Sequence, residues 1–438
     1  MSRAPARVLL IAEAANPEWV SVPLVGWSLA KALSRVVSGH LVTQTRNRDA
    51  IARAGLSEGS DFTIIDTEDF GRPIWLAGVW LKKMTGLGWT TSTALSVLPY
   101  YLFEKRLWDR FGPEIERGAY DVVHRITPLS PTSPSLIASR CRRAGVPFVW
   151  GPVNGGVAWP KGFSDVLRAE GEWLSYVRNA HHLLPAYRST RTDAAALMIG
   201  SRSTWSEFDG YHERCVYLPE NAVDPERFGD PSPAPETGPL RAAFIGRLVP
   251  YKGADMLIQA AAPLIREGRL ELEIMGDGPQ RAELEQLVDR EGVRSGVHLR
   301  GWIAHAELHA TLRSCHLFAF PSVREFGGGA VLEAMLLEVT PLVADYAGPA
   351  ELVTDATGFR VPIGPREVVI DGFRRVLTEL AADRSRLPAI GKRARQRVLD
   401  WFTWERKAQQ VNAVYDWVRG LREKPDFGMP FPDGKPAF

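Results

Sequence analysis

Strand-length apolar runs alternate with helical text along this chain, and the alternation begins twice. VLLIA (8–12) reads as a strand and Leu24 to Val36, after Pro23, as a helix. His40 to Thr45, Phe62 to Asp66, DVVHR (121–125, ending at His124), Pro147 to Trp150 and Ala195 to Gly200 read as further strands. A helix between two strands returns the chain to the starting edge of the sheet, so such strands pair in parallel. From Pro219 to Pro239 the text holds six prolines and no apolar period. Proline removes the backbone donor that either pattern needs, so this stretch marks a boundary. The alternation then restarts with strands at Arg241–Ile245, Leu270–Met275, Val297–Leu299 and Leu317–Phe320. Helices are expected at 253–266, 280–291, 306–314, 330–337, 366–383 and 387–399. The chain's 438 residues are too many for one ordinary core, so two open α/β domains are expected, 1–220 and 221–403.

In open α/β sheets ligands bind beyond the carboxyl ends of the strands. Three such loops carry chemistry here. FIGRLVPYKG (244–253) places Gly246, Arg247 and Lys252 between a strand end and a helix start. Arginine forks onto phosphate oxygens and lysine adds a point charge. GDGP (276–279) is a tight turn at the next strand end. PSVREFGGGAVLEAM (321–335) sets Gly327, Gly328 and Gly329 before a helix, with Glu325 ahead of it and Glu333 inside, eight positions on. Unpaired N–H groups at a helix start attract anions, and carboxylates accept from sugar hydroxyls. Together they describe a site for an anionic ligand that carries hydroxyls.

The ordered set FIGRLVPYKG, IMGDGPQRAELE, LRGWI, PSVREFGGGAVLEAM and GPAELV resembles glycosyltransferase family 4 closely over most of 241–362, and elsewhere in architecture. The resemblance implies the GT-B fold, two Rossmann-like domains facing each other across a cleft, with a last helix near 404–421 crossing back onto the first. It implies a hexosyltransferase that retains anomeric configuration. Arg247 and Lys252 match the pair that holds the nucleotide diphosphate, and the turn Phe326 to Gly329 supplies N–H groups to sugar or phosphate. Glu325 matches the glutamate near the transferred sugar, Glu333 the one on the ribose, and Trp302 with Ile303 the nucleobase pocket. His124 resembles the histidine that faces the donor sugar. The chain departs from the family's usual small residue at Glu338, and its first loop, EAANPEW, lacks the common glycine pair. GPVNGG (151–156) offers Asn154 and Gly155 as acceptor or sugar contacts, with a simple turn as the other reading.

A UDP- or GDP-sugar donor is expected, with no cofactor and no metal, since no Asp-x-Asp tripeptide occurs and the two cations can take a metal's electrostatic place. His305 and His309 have ligand spacing, but no third ligand accompanies them. No G-x-G-x-x-G follows the first strand, which disfavours a nicotinamide enzyme. A net charge of +2 creates no demand for nucleic acid. Three scattered cysteines suit a reducing cytosol, and Glu13 interrupts the first apolar run too early for a signal peptide. No stretch is long enough to span a bilayer. The Trp-rich basic text from Ile74 to Arg110 reads as amphipathic helices on the sheet, with a membrane-interface segment as the alternative. The expected setting is cell-surface polysaccharide synthesis at the cytoplasmic face of the membrane, on a glycan or lipid-linked saccharide. A nucleotide-sugar 2-epimerase and a non-catalytic nucleotide-sugar-binding protein are the alternatives.

Overall fold

The computed structural model describes residues 4–69, 89–160, 162–163, 180–231 and 234–427. Two parallel sheets form. The first contains β1 (Arg7–Ala12), β2 (Ser38–Gln44), β3 (Phe62–Ile65), β4 (Val122–Thr127), β5 (Phe148–Val153), β6 (Ala196–Ile199) and β7 (Cys215–Tyr217), in the order β3-β2-β1-β4-β5-β6-β7. The second contains β8 (Leu240–Ile245), β9 (Leu270–Met275), β10 (Val297–Gly301), β11 (Leu317–Phe320), β12 (Thr340–Asp345) and β13 (Phe359–Pro362), in the order β10-β9-β8-β11-β12-β13. Each order turns back at its first strand, which is the doubly wound arrangement.

The first strand shows why sequence alternation became a layered domain. Val8, Leu10 and Ala12 face one side, where Trp27 and Leu29 of the helix Val22–Leu33 pack. Leu9 and Ile11 face the other, against Tyr100, Phe103, Leu107 and Phe111 of the helix Trp89–Glu116. Both faces are covered, so the strand reads as a continuous apolar run. The last helix, Trp404–Val418, adds Ala408, Val411, Val414 and Tyr415 to the first of these layers. The chain therefore crosses between domains twice. The crossings are joined at Val223, whose N–H donates to Phe402 O (2.8 Å) and whose carbonyl accepts from Trp404 N (3.2 Å).

Two strands of the first sheet, β4 and β5, end later than the residue pattern implied. β4 runs on to Thr127 because Arg125, which reads as a polar terminus, is fully buried with its guanidinium 4.8 Å from the Tyr100 ring and 5.1 Å from that of Trp150. β5 likewise takes in Gly151–Val153. Of the aromatic segment 74–110, residues 74–88 lie outside the described residues. On the described part of the helix Trp89–Glu116, half-exposed Leu98 joins Tyr101, Leu102 and Leu136 in a shallow apolar groove beside Lys105 and Arg140. No helix among the described residues is long and apolar enough to cross a membrane.

Candidate functional site at the carboxyl edge of the second sheet

The loops after β8, β9 and β11 interlock through their backbones. Gly246 N donates to Met275 O (3.0 Å), Leu248 N to Asp277 O (2.9 Å) and Gln280 N to Leu248 O (3.1 Å). Gly276 lies at φ 145°, and a Cβ there would sit 2.0 Å from Gly246 O. Only glycine permits that contact. The β8 loop is then tied to the β11 loop: Val323 N (2.9 Å) and Ser322 Oγ (3.2 Å) both donate to Tyr251 O. Gly253, at φ 75°, ends the short 3-10 turn Pro250–Lys252 and starts the helix Ala254–Arg266.

This bracing brings Lys252 Nζ into an ion pair with Glu325, both side chains largely buried. Arg247 stands exposed on the same loop, and its guanidinium has no partner among the described residues. Beyond Glu325 the chain turns through Phe326, Gly327 and Gly328 (φ 67°) into the helix Gly329–Leu336. The next helix, Ala347–Leu352, supports the turn by a bond from Gly348 N to Glu325 O (3.2 Å). One turn into the helix Gly329–Leu336, half-buried Glu333 has its carboxyl pKa lifted to about 7 by desolvation, with the positive charge of Arg227 pulling the other way. Arg247, Lys252, Glu325, Gly327–Gly329 and Glu333 thus belong to one carboxyl edge. Trp302, after β10, is 77% exposed, while Ile303 packs on the domain core. Among the described residues no three His, Cys, Asp or Glu side chains converge as a metal-binding group. His309 is buried with its ring stacked on Phe228 at 4.3 Å, and the side chain of His305 lies outside the described residues.

Three N-terminal assignments change. His124 lies within β4, not at its end, and is fully buried. Its Nδ1 bonds Tyr415 Oη and its Nε2 bonds Gly151 O, both at 2.6 Å. Burial lowers its pKa to about 4, against the opposing pull of Gly151 O. A neutral ring joins the last helix to the sheet, with both nitrogens engaged and neither free for a sugar. Asn154 is 7% exposed and uses all four hydrogen-bonding positions internally. Gly155 is buried, and its N–H donates to Thr204 Oγ1 (3.0 Å). Neither is free to contact a ligand in this arrangement.

The two sheets meet at their carboxyl ends, and comparison with solved structures decides what that means. HepE from Anabaena, in complex with UDP, superposes with a TM-score of 0.60 at 16% identity, covering 93% of this chain and 98% of that one. The fold is GT-B. Residues 229–397 match the family model described as glycosyl transferases group 1. Among curated relatives, an alpha-D-kanosaminyltransferase of Streptomyces kanamyceticus is 34% identical over 155 residues, 33% of this chain and 40% of that one. A GDP-mannose-dependent alpha-(1-6)-phosphatidylinositol monomannoside mannosyltransferase of Mycolicibacterium smegmatis is 28% identical over 352 residues, 72% of this chain and 89% of that one. The first three curated relatives are matched over only 40%, 50% and 44% of their own lengths.

In the GT-B frame, several further residues gather at the cleft. Glu220 and Asn221 sit in the Pro-rich crossing, yet a Cβ on Gly327 would fall 1.7 Å from Asn221 Nδ2 and 2.2 Å from Glu220 Oε1. Arg324 lies over the rings of Trp159 (4.9 Å) and Phe326 (5.9 Å). Tyr346 Oη donates to Ala158 O (2.6 Å), and Glu351 accepts from Arg202 N (3.0 Å) and Tyr217 Oη. These contacts join the two domains around the turn. Their partners come from distant elements, which local pattern does not reveal.

Proposed function

We propose that this protein transfers a sugar from a UDP- or GDP-sugar to a saccharide or lipid-linked saccharide, with retention of anomeric configuration and without a metal ion. The observation that carries the reading is the Lys252–Glu325 ion pair beside the N–H turn Gly327–Gly329, with Arg247 exposed at the mouth. A donor diphosphate competes for Lys252 and thereby frees the Glu325 carboxylate to accept from sugar hydroxyls. Glu333 accepts from the ribose, and exposed Trp302 offers a face to the base. In transfer the acceptor oxygen bonds the anomeric carbon as that carbon's bond to the β-phosphate oxygen breaks. The leaving diphosphate takes the acceptor proton on its oxygen, and Lys252, Arg247 and the turn stabilise its growing charge. Glu325 positions the sugar, and a trapped glycosyl adduct on Glu325 would overturn that role. The GDP-mannose dependence in the mannosyltransferase relative's name supports the donor class, and the phosphatidylinositol monomannoside in the same name supports a lipid-linked saccharide; the cytoplasmic face of the membrane is the location we favour. Cell-surface polysaccharide synthesis is the setting we favour.

The test follows nucleotide release from UDP- and GDP-sugars with and without a lipid-linked saccharide. Release that depends on acceptor supports transfer. Release without acceptor indicates hydrolysis or 2-epimerisation of the donor, and binding without release a non-catalytic role. Activity is expected to persist in EDTA; loss that Mg²⁺ restores would contradict the metal-free reading.

Binding should also depend on pH through Glu333. Its carboxyl titrates at about 7 in the empty site, raised from 4.5. A ribose hydroxyl donates best to the ionised form, so nucleoside diphosphate affinity is expected to rise as pH passes through about 7. Glu333→Gln should flatten that rise, and an unchanged profile in a calorimetric titration would remove Glu333 from the ribose. The stability contribution has the opposite sense. It is full below about 4.5 and is lost as pH rises through about 7.

A further inference from the structure

Asn154 follows β5 in the N-terminal domain, yet its side chain reaches three separate parts of the chain. Oδ1 accepts from Ser201 Oγ (2.8 Å) and Thr204 Oγ1 (3.1 Å), both at the start of the short helix Arg202–Trp205. Nδ2 donates to Glu220 Oε2 (2.8 Å) in the crossing segment and to Phe326 O (3.1 Å) in the second domain. An amide has two N–H protons and two lone pairs, so the set is complete. Space around it is closed: a Cβ on Gly200 would lie 2.9 Å from Asn154 Cβ and 2.6 Å from Glu220 Oε2. Glu220 in turn abuts Gly327, the residue after the carbonyl that Asn154 holds.

We propose that Asn154 is a positioning residue that fixes the turn Phe326–Gly329 against the N-terminal domain, so that this turn takes its ligand-binding shape only when both domains and the crossing segment are in register. The proposal rests on the reading of that turn as the donor-phosphate turn. No other residue type of this size presents two donors and two acceptors from one planar group. Aspartate keeps the shape, loses both donors and faces the Glu220 carboxyl. Alanine leaves Phe326 O and Glu220 Oε2 without their donor, the costly half of a broken buried hydrogen bond.

The experiment measures hydrogen exchange at Val331 and Gly348, whose N–H groups bond Gly328 O and Glu325 O at the two ends of the turn, together with UDP and GDP titrations. In Asn154→Asp both amides are expected to exchange about tenfold faster, with strand amides of β8 and β11 unchanged, and nucleotide affinity about tenfold lower. In the double variant Asn154→Asp/Glu220→Gln the exchanged amide donates back to the carboxylate while Phe326 O stays without its donor, so part but not all of the lost protection should return. A purely structural role would instead raise exchange across the whole domain and show no recovery in the swap. Unchanged exchange at Val331 and Gly348 overturns the proposal even where nucleotide binds. If the wild-type protein binds neither nucleotide, the donor reading fails, and the exchange data still decide whether Asn154 holds the turn.

Discussion

Lys252→Ala is expected to lower kcat/KM for the donor sugar by about a hundredfold, and Arg247→Ala by about tenfold. A hydrogen bond to a charged group is worth about 1.5–3 kcal/mol, and each 1.4 kcal/mol of transition-state stabilisation is a factor of about ten. Lys252 belongs at the upper end of that range. Its side chain is 16% exposed, it is fixed by the backbone bonds of Tyr251, and its removal leaves Glu325 partly desolvated without its cation. Arg247 is exposed, so solvent screens its charge and its loss costs less. Steady-state kinetics with a nucleoside diphosphate titration check both. Values within twofold of wild type for Lys252→Ala would mean that the diphosphate binds elsewhere.

Gly348→Ala should damage the site without touching any proposed ligand contact. Its Cβ would lie 2.0 Å from Phe326 O, 2.6 Å from Phe326 C and 3.0 Å from Gly327 Cα. Those atoms are backbone, so no rotamer relieves the clash and the Phe326–Gly327 peptide has to move. The expected result is a loss of about 1–3 kcal/mol in stability and at least about tenfold in donor affinity. Gly372→Ala provides the comparison, because its Cβ would meet only the Val361 side chain, at 2.3 Å. It should lower the melting temperature and leave donor affinity within about a factor of two. Equal affinity losses in both variants would show that general destabilisation, and not displacement of the turn, is responsible.

How much of this was legible depended on distance along the chain. Arg247, Lys252, Glu325 and Glu333 announce themselves because each sits in a short glycine-marked loop or beside it, and parallel sheets put such loops on one edge. Lys252 and Glu325 are 73 positions apart, yet adjacent central strands β8 and β11 bring their loops together. The N-terminal half was read less well. His124 resembled a strand-end residue because Arg125 looked like a polar stop, and the rings that bury Arg125 come from other elements. The partner of His124, Tyr415, lies 291 positions away. Asn154 looked like part of a glycine turn for the same reason: its partners Ser201, Thr204, Glu220 and Phe326 follow much later. The strands β7, β12 and β13 carried too little pattern to be assigned from text. Glu338, noted as a departure from a small residue, occupies φ 62° just after a helix, a conformation that glycine adopts at no steric cost.

The most direct measurement is a crystal structure of the protein soaked with UDP-glucose or GDP-mannose. The diphosphate should lie between Lys252, Arg247 and the N–H groups of Gly327–Gly329, with ribose hydroxyls on Glu333 and the sugar beside Glu325. In that complex Lys252 should have left Glu325 for phosphate oxygen. A nucleotide bound away from the carboxyl edge of the second sheet, or bound there with the Lys252–Glu325 pair still closed, would contradict the proposed donor site.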